Sequence, residues 1–210
     1  MADDRDTFDS IRAAKSAMRK EIRRLRKELP DRSQRSEQIV QRLFCSDWYK
    51  ASRSVFMYID MPGEVETRDL FHRMIEDDRR VAVPYCDGPT LRAYWCTSLS
   101  ELERGTYGIL EPSAELRAHP DRQAAIRYFD MIITPAIAVD RSGGRLGQGG
   151  GFYDRFIAET RRAGTNTVII AIAFDCQLVD HVPIALHDMR VDAIATETAT
   201  YHCHPSRSDG

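Results

Sequence analysis

No Cys-x-x-Cys pair, no internal repeat and no apolar run near the roughly 20 residues of a bilayer-spanning helix occur in this chain. Each absence removes a class of function. The five cysteines, at 45, 86, 96, 176 and 203, are odd in number and irregularly spaced, which reads as reduced thiols rather than a disulfide framework. A cytoplasmic setting is therefore expected. The first ten residues are acidic and polar where a secretory signal would be basic and then apolar, so neither export nor membrane insertion is expected. A formal net charge of −2 offers no global attraction to nucleic acid or an anionic membrane. Any anion binding must come from a local cluster. What remains is a chain of 210 residues, 42% hydrophobic, long enough for one substantial core. The expectation is a single domain over 1–210, a monomer, with flexible tails at 1–10 and 201–210.

Apolar residues at 11, 14, 18, 22, 25 and 29 predict an amphipathic, strongly basic helix from Ile11 to Leu29, closed by Pro30. A second helix is predicted over 36–45 and a strand over 55–59, with Thr67 placed to N-cap a helix running to about Asp78. Short strands follow at 81–84 and 91–95, turning at Gly88 and Pro89. Between 101 and 128 Gly and Pro break every pattern, and mostly loop is expected. The apolar run 131–139, a helix over 153–163 and the wholly apolar run 167–174 read as strand, helix and buried strand. That order implies a parallel sheet covered by helices, whose ligands collect at the carboxyl ends of the strands. Glu64, Glu66, Tyr85, Asp175 and Gln177 all fall at such ends. A last strand is predicted at 191–196.

Six of the twelve glycines lie between Gly143 and Gly151, in GGRLGQGGGFYD, Gly143 to Asp154. A strand feeding a glycine-rich turn into a helix gathers backbone N–H groups at the positive helix end and lets the backbone approach an anion closely. Arg145 adds a fixed charge, and Asp154 could hold a cation. The loop is neither common nucleotide fingerprint. It ends in Gly-Phe-Tyr-Asp where a Walker A loop needs Gly-Lys-Ser/Thr, and a dinucleotide fingerprint begun at Gly147 would meet Phe152 where Gly or Ala is needed. A glycine-rich hairpin without ligand is the alternative.

Lys15 and Arg19, four apart, share a helix face and could grip one polyphosphate, although a solvated basic face has the same spacing. Glu64 and Glu66 suit the edge of a polar heterocycle, or are solvent-facing loop acids. Asp154 is either a helix-start carboxylate favoured by the dipole or a magnesium ligand, with Asp188 a candidate second carboxylate. The His202-Cys203-His204 run has no partner ligands and is set aside as a metal site.

These anchors, in order, resemble those of the 5-formyltetrahydrofolate cyclo-ligases, also called 5,10-methenyltetrahydrofolate synthetases. The likeness runs from Lys15 to about Glu197. It is carried by Lys15 with Arg19, Glu64 to Thr67, Gly108 to Pro112, Asp140 to Asp154, Ala173 to Gln177, and His187 to Asp192. The resemblance implies a three-layer α/β/α fold with a mainly parallel sheet. It also implies ATP- and magnesium-dependent conversion of 5-formyltetrahydrofolate to 5,10-methenyltetrahydrofolate, with ADP and phosphate released by way of an N5-iminium phosphate. Position by position, it places Lys15, Arg19, Arg145, Leu146, Gly147, Gln148, Gly149, Gly150, Gly151, Phe152 and Tyr153 at ATP, with Lys15 and Arg145 catalytic. It places Ile59, Glu64, Tyr107 and the stretch Gln148 to Phe152 at the folate, and Asp154 and Asp188 at Mg2+. Gln148 stands where the family commonly has Tyr, Phe or Arg, and Phe152 where Tyr is frequent. A non-catalytic folate- or nucleotide-binding protein on the same frame is the alternative, and a sugar-phosphate phosphotransferase a third reading.

Overall fold

The computed structural model describes residues 2–105 and 108–203. Two long helices, α1 (Ala2–Glu28) and α2 (Arg32–Cys45), precede a short α3 (Asp47–Ala51). Next come β1 (Ser54–Met57), α4 (Arg68–Glu76) and the hairpin of β2 (Arg80–Asp87) and β3 (Thr90–Cys96). A small excursion holds β4 (Leu102–Arg104), β5 (Leu110–Pro112), α5 (Ala114–Arg117) and β6 (Gln123–Ala124). The chain then forms β7 (Met131–Thr134), β8 (Ala138–Asp140), β9 (Arg145–Leu146) and α6 (Phe152–Arg162). It finishes with β10 (Val168–Ile172), β11 (Leu178–Val179), β12 (Ala193–Ala195) and β13 (Thr200–His202).

Eight strands make the main sheet in the order β13, β12, β10, β7, β1, β2, β3, β6. The inner run from β12 to β2 is parallel throughout, and β13, β3 and β6 are antiparallel. Because successive side chains point to two buried faces, the inner strands are apolar along most of their length. Val55, Met57, Val81, Val83, Met131, Ile133, Ile170 and Ile172 face one layer, with Leu43 of α2 and Leu70, Phe71 and Met74 of α4. Phe56, Ala82, Ile132, Ile169, Ala171 and Ile194 face the other, under Phe156 and Ile157 of α6. The result is the three-layer α/β/α arrangement expected, with a mainly parallel sheet.

A second sheet, ordered β11, β8, β9, lies beside the first. Ile22 of α1 closes over it, packing with Ile137, Ala138, Leu146 and Val182. This corrects the reading of 131–139 as one strand. Pro135 has no N–H for the ladder, so the chain leaves the main sheet after Thr134 and re-pairs elsewhere. Thr67 does stand at the N-cap of α4, its carbonyl accepting from Phe71 N, but its side chain does not cap: the hydroxyl donates to the Tyr58 carbonyl, and the backbone N–H to Asp60. The expected tails are ordered in part. Helix α1 already runs from Ala2, and Tyr201 and His202 belong to β13, where a polar sequence suits an edge strand. His202 packs against Trp48 and Cys203 is buried, while His204 lies outside the described residues. No described helix is long and apolar enough to cross a membrane.

Candidate active site

The small sheet delivers the glycine loop. Its β8–β9 hairpin turns through Gly143, at φ 86°, where a side chain would drive into the Val191 carbonyl. Beyond Leu146 the loop 147–151 passes through Gly149 at φ 110° and ends at Gly151, φ 66°, the N-cap of α6. Arginines hold its carbonyls. The Nε of Arg19 donates to Gly147 O at 2.9 Å, and Arg155 donates to Gly150 O at 2.9 Å while also reaching Pro89 O in the β2–β3 turn. Arg23 donates to the Gln148 side chain at 2.6 Å. Among the described residues, the backbone N–H groups of Gly147 to Gly151 donate to no protein acceptor. Together with the uncapped first turn of α6, they form a run of free donors of the kind that receives an anion.

Arg145 is 4% exposed, yet its Nε has no hydrogen-bond partner among the described residues. Its other nitrogens donate to Asp154 Oδ1 at 3.1 Å and Pro135 O at 3.4 Å, and the guanidinium stands 5.6 Å from the Tyr153 ring centroid. Lys15 reaches across from α1 to pair with Asp188 Oδ2, which also accepts the Ala185 N–H at 2.6 Å. The Met189 N–H donates to Asp154 Oδ1 at 3.2 Å, so the two carboxylates flank one peptide. Each acid thus has one oxygen committed to a cation and a backbone amide. Asp154 Oδ2 accepts no hydrogen bond among the described residues, and His187 Nε2 stands 3.8 Å from Asp188 Oδ1. Magnesium takes one or two carboxylates and completes its shell with phosphate oxygens and water, so this donor pair fits it. No group of three His, Cys, Asp or Glu side chains suited to a metal occurs among the described residues.

Glu64 sits in the loop after β1, in a turn where its N–H donates to Met61 O and its Oε2 accepts from Met61 N at 3.2 Å. It is 8% exposed. Burial raises its pKa against the opposing pull of the Met61 N–H, the Arg26 charge and a hydrogen bond from Gln148. The Gln148 side chain, which accepts from Arg23, thus lies close enough to Glu64 to favour its charged form. Glu64 also lines a cleft of about 450 Å³, with Leu29, Arg32, Asp60, Met61 and Glu66 among others. Glu66 itself is exposed and bonded to Ser33, so only one of the two loop glutamates is buried.

The structure thus brings together Lys15, Arg19, Arg145, the loop through Tyr153, Asp154, Asp188 and Glu64. Leu146 and Ile59 are core residues, each 2% exposed, and offer the site only their backbone. Tyr107 lies outside the described residues. Asp175 and Gln177 do not join: the Gln177 amide is buried, donating to Ala136 O and Ile137 O, and Asp175 accepts from Thr198. Tyr85 lies within β2 with Arg117 stacked over its ring. Sequence reasoning missed Arg23, Arg26 and Arg155. Lys15, Arg19, Ile22 and Arg26 fall at i, i+4, i+7 and i+11, one helix face, so the apolar stripe of α1 already marked Arg26 as inward. It is 7% exposed, and burial lowers its pKa.

The family model described as the 5-formyltetrahydrofolate cyclo-ligase family matches residues 11–197. The chain is similar to the 5-formyltetrahydrofolate cyclo-ligase of Escherichia coli K12, with 28% identity over 86% of this chain and 98% of that protein. It is likewise similar to the 5-formyltetrahydrofolate cyclo-ligase of Mycolicibacterium smegmatis, with 29% identity over 87% and 93%. Among solved structures, the 5,10-methenyltetrahydrofolate synthetase of Aquifex aeolicus superposes with a TM-score of 0.78 at 27% identity, over 93% of this chain and 96% of that one. With the matched region containing the glycine loop, the Lys15–Asp188 and Arg145–Asp154 pairs and buried Glu64, the chain belongs to the 5-formyltetrahydrofolate cyclo-ligase family.

Proposed function

We propose that this chain catalyses the ATP-dependent closure of 5-formyltetrahydrofolate to 5,10-methenyltetrahydrofolate, releasing ADP and phosphate. One observation carries the reading. A run of unpaired loop amides, flanked by Lys15, Arg19 and Arg145, includes Gln148, whose side chain lies near a buried carboxylate, Glu64, in the wall of a cleft. A polyphosphate and a heterocycle can then lie end to end.

The chemistry needs such an arrangement because a formyl oxygen leaves poorly until it is phosphorylated. That oxygen attacks the γ-phosphorus of ATP, the bond to the β-phosphate bridging oxygen breaks, and ADP departs. The N5-iminium phosphate so formed is attacked at carbon by N10, which loses its proton, and the carbon–oxygen bond breaks to release phosphate. The chain's groups bind, orient and neutralise rather than form covalent bonds. Arg145 and Lys15 face the charge that builds on the transferring group, and Arg19 fixes the loop at Gly147. Glu64 faces the pterin edge, and Phe152 and Tyr153 bring flat rings beside it. Asp154 and Asp188 would hold Mg2+, which supplies further neutralisation of phosphate oxygens when bound. All these groups come from one chain, in keeping with a monomer, and the five free thiols suit a reducing cytoplasm.

The test is the long-wavelength absorbance of the methenyl product, followed on purified protein with 5-formyltetrahydrofolate and magnesium, with and without ATP. A rise that requires ATP and is lost in Asp154→Asn is expected. Folate binding without turnover would replace this reading with the non-catalytic alternative.

A further inference from the structure

The function assigned above leaves two buried acids unused, Glu197, which is paired with Arg35, and Asp140. Asp140 ends β8 and is 1% exposed, with no arginine or lysine paired to it among the described residues. Its Oδ1 accepts from Ser142 N at 2.9 Å, Ser142 Oγ at 2.6 Å and Gly144 N at 2.9 Å. Its Oδ2 accepts from Val182 N, 42 residues away, at 2.8 Å. Although burial alone would raise its pKa, the Ser142, Val182 and Gly144 donors outweigh it and hold the carboxyl low, so the group is a carboxylate.

The turn it organises lies directly before Arg145. The same turn holds the far end of the 182–191 segment: Val191 N donates to Gly143 O at 2.9 Å, and Arg190 donates to Ser142 O at 3.0 Å and Ser142 Oγ at 2.7 Å. The segment carrying Asp188 is therefore fastened at both ends to one turn, at Val182 by the carboxylate and at Val191 by the turn's backbone. Between those points lie Ala185, whose amide sets Asp188, and Met189, whose amide sets Asp154.

We propose that Asp140 is a positioning residue, holding Arg145 and the Asp188-bearing segment in mutual register so that the phosphate- and cation-facing groups meet. It touches neither substrate; it acts through the turn. A carboxylate is required because every donor around it is an N–H or O–H. An asparagine would set its own NH2 against one of them.

The kinetic part of the test rests on the proposed ring-closing activity; the exchange part does not. In Asp140→Asn, backbone amide exchange should quicken at Ala185 and Met189, with the amides of the main sheet unchanged. Steady-state assays should show the ATP KM and the magnesium requirement raised roughly 10- to 100-fold, as for partners that orient metal ligands, with the folate KM unchanged. Arg190→Ala keeps the buried carboxylate and removes only the Ser142 latch; it should move the same two constants by less. An unchanged ATP KM in a folded Asp140→Asn protein, or equal rises in both substrates' KM, would overturn the proposal. Should Asp140→Asn fail to fold, Arg190→Ala decides: a selective rise in ATP KM supports the register role, and no rise rejects it. Should the wild-type protein show no ATP-dependent turnover, the functional reading fails, and exchange confined to 182–191 still decides the role of Asp140.

Discussion

The large sheet and the small one both bury apolar side chains, but the small one also buries charge. At the centre of the large sheet, Phe56, Ile132, Ile133, Ile169 and Ile170 are fully buried and apolar, held by shape and by the hydrophobic effect alone. The small sheet, built from β11, β8 and β9, buries Asp140 and Arg145 at 1% and 4% exposure, and its order depends on specific donors and acceptors. Apolar contacts tolerate exchange of one side chain for another of similar volume, whereas a buried charge that loses its partner is costly. The large sheet therefore supplies stability, and the small one fixes the positions of charges.

That division can be broken at Arg145. Arg145→Ala removes the cation beside the loop and leaves Asp154 with only the Met189 amide. Turnover should fall about 10²- to 10³-fold, the range for losing a preorganised charge partner, and the ATP KM should rise in steady-state assays. Kinetics like those of the wild type would remove the small sheet from the phosphate site. Ile132→Ala tests the other half. It should cost about 2–5 kcal/mol in denaturant unfolding, while the folded fraction keeps the wild-type ATP KM. A raised ATP KM in that variant would show that the sheets do not divide the work.

The same contrast explains what could be read from the sequence. The parallel core was legible because period-2 burial on both faces leaves unbroken apolar runs, as at 167–174. The glycine loop was legible because positive φ at Gly143, Gly149 and Gly151 restricts composition. The break after Thr134 was hidden, since Pro135 interrupts a run whose residues are apolar in both sheets. β13 was hidden because a polar edge strand has the composition of a tail. Arg155 was hidden for another reason: an arginine that holds a loop and one that is merely solvated are the same letter, and only its bonds to Gly150 O and Pro89 O tell them apart. The tie between Asp140 and Val182 crosses 42 residues, and no local pattern records it.

A smaller effect should separate Glu64 from Asp154 and Asp188. Asp154 and Asp188 are each paired with a cation, whereas Glu64 is buried with a backbone amide and no ion pair among the described residues. Burial raises its folded-state pKa above the unfolded value of about 4.3. Below that value the group is neutral in both states. As the pH climbs towards the raised folded value, the unfolded chain ionises first, and stability drains away and stays lost above it. Glu64→Gln never ionises and keeps an oxygen for the Met61 N–H. Its melting temperature relative to wild type should therefore be more favourable at pH 7 than at pH 4, by a few °C at most. A difference that is flat with pH, or larger at pH 4, would mean that the charged form is already well compensated, and Glu64 would then resemble Asp154 rather than oppose it. The expected result leaves an under-compensated carboxylate facing the cleft, and the donor-rich edge of a pterin is the kind of group that would satisfy it.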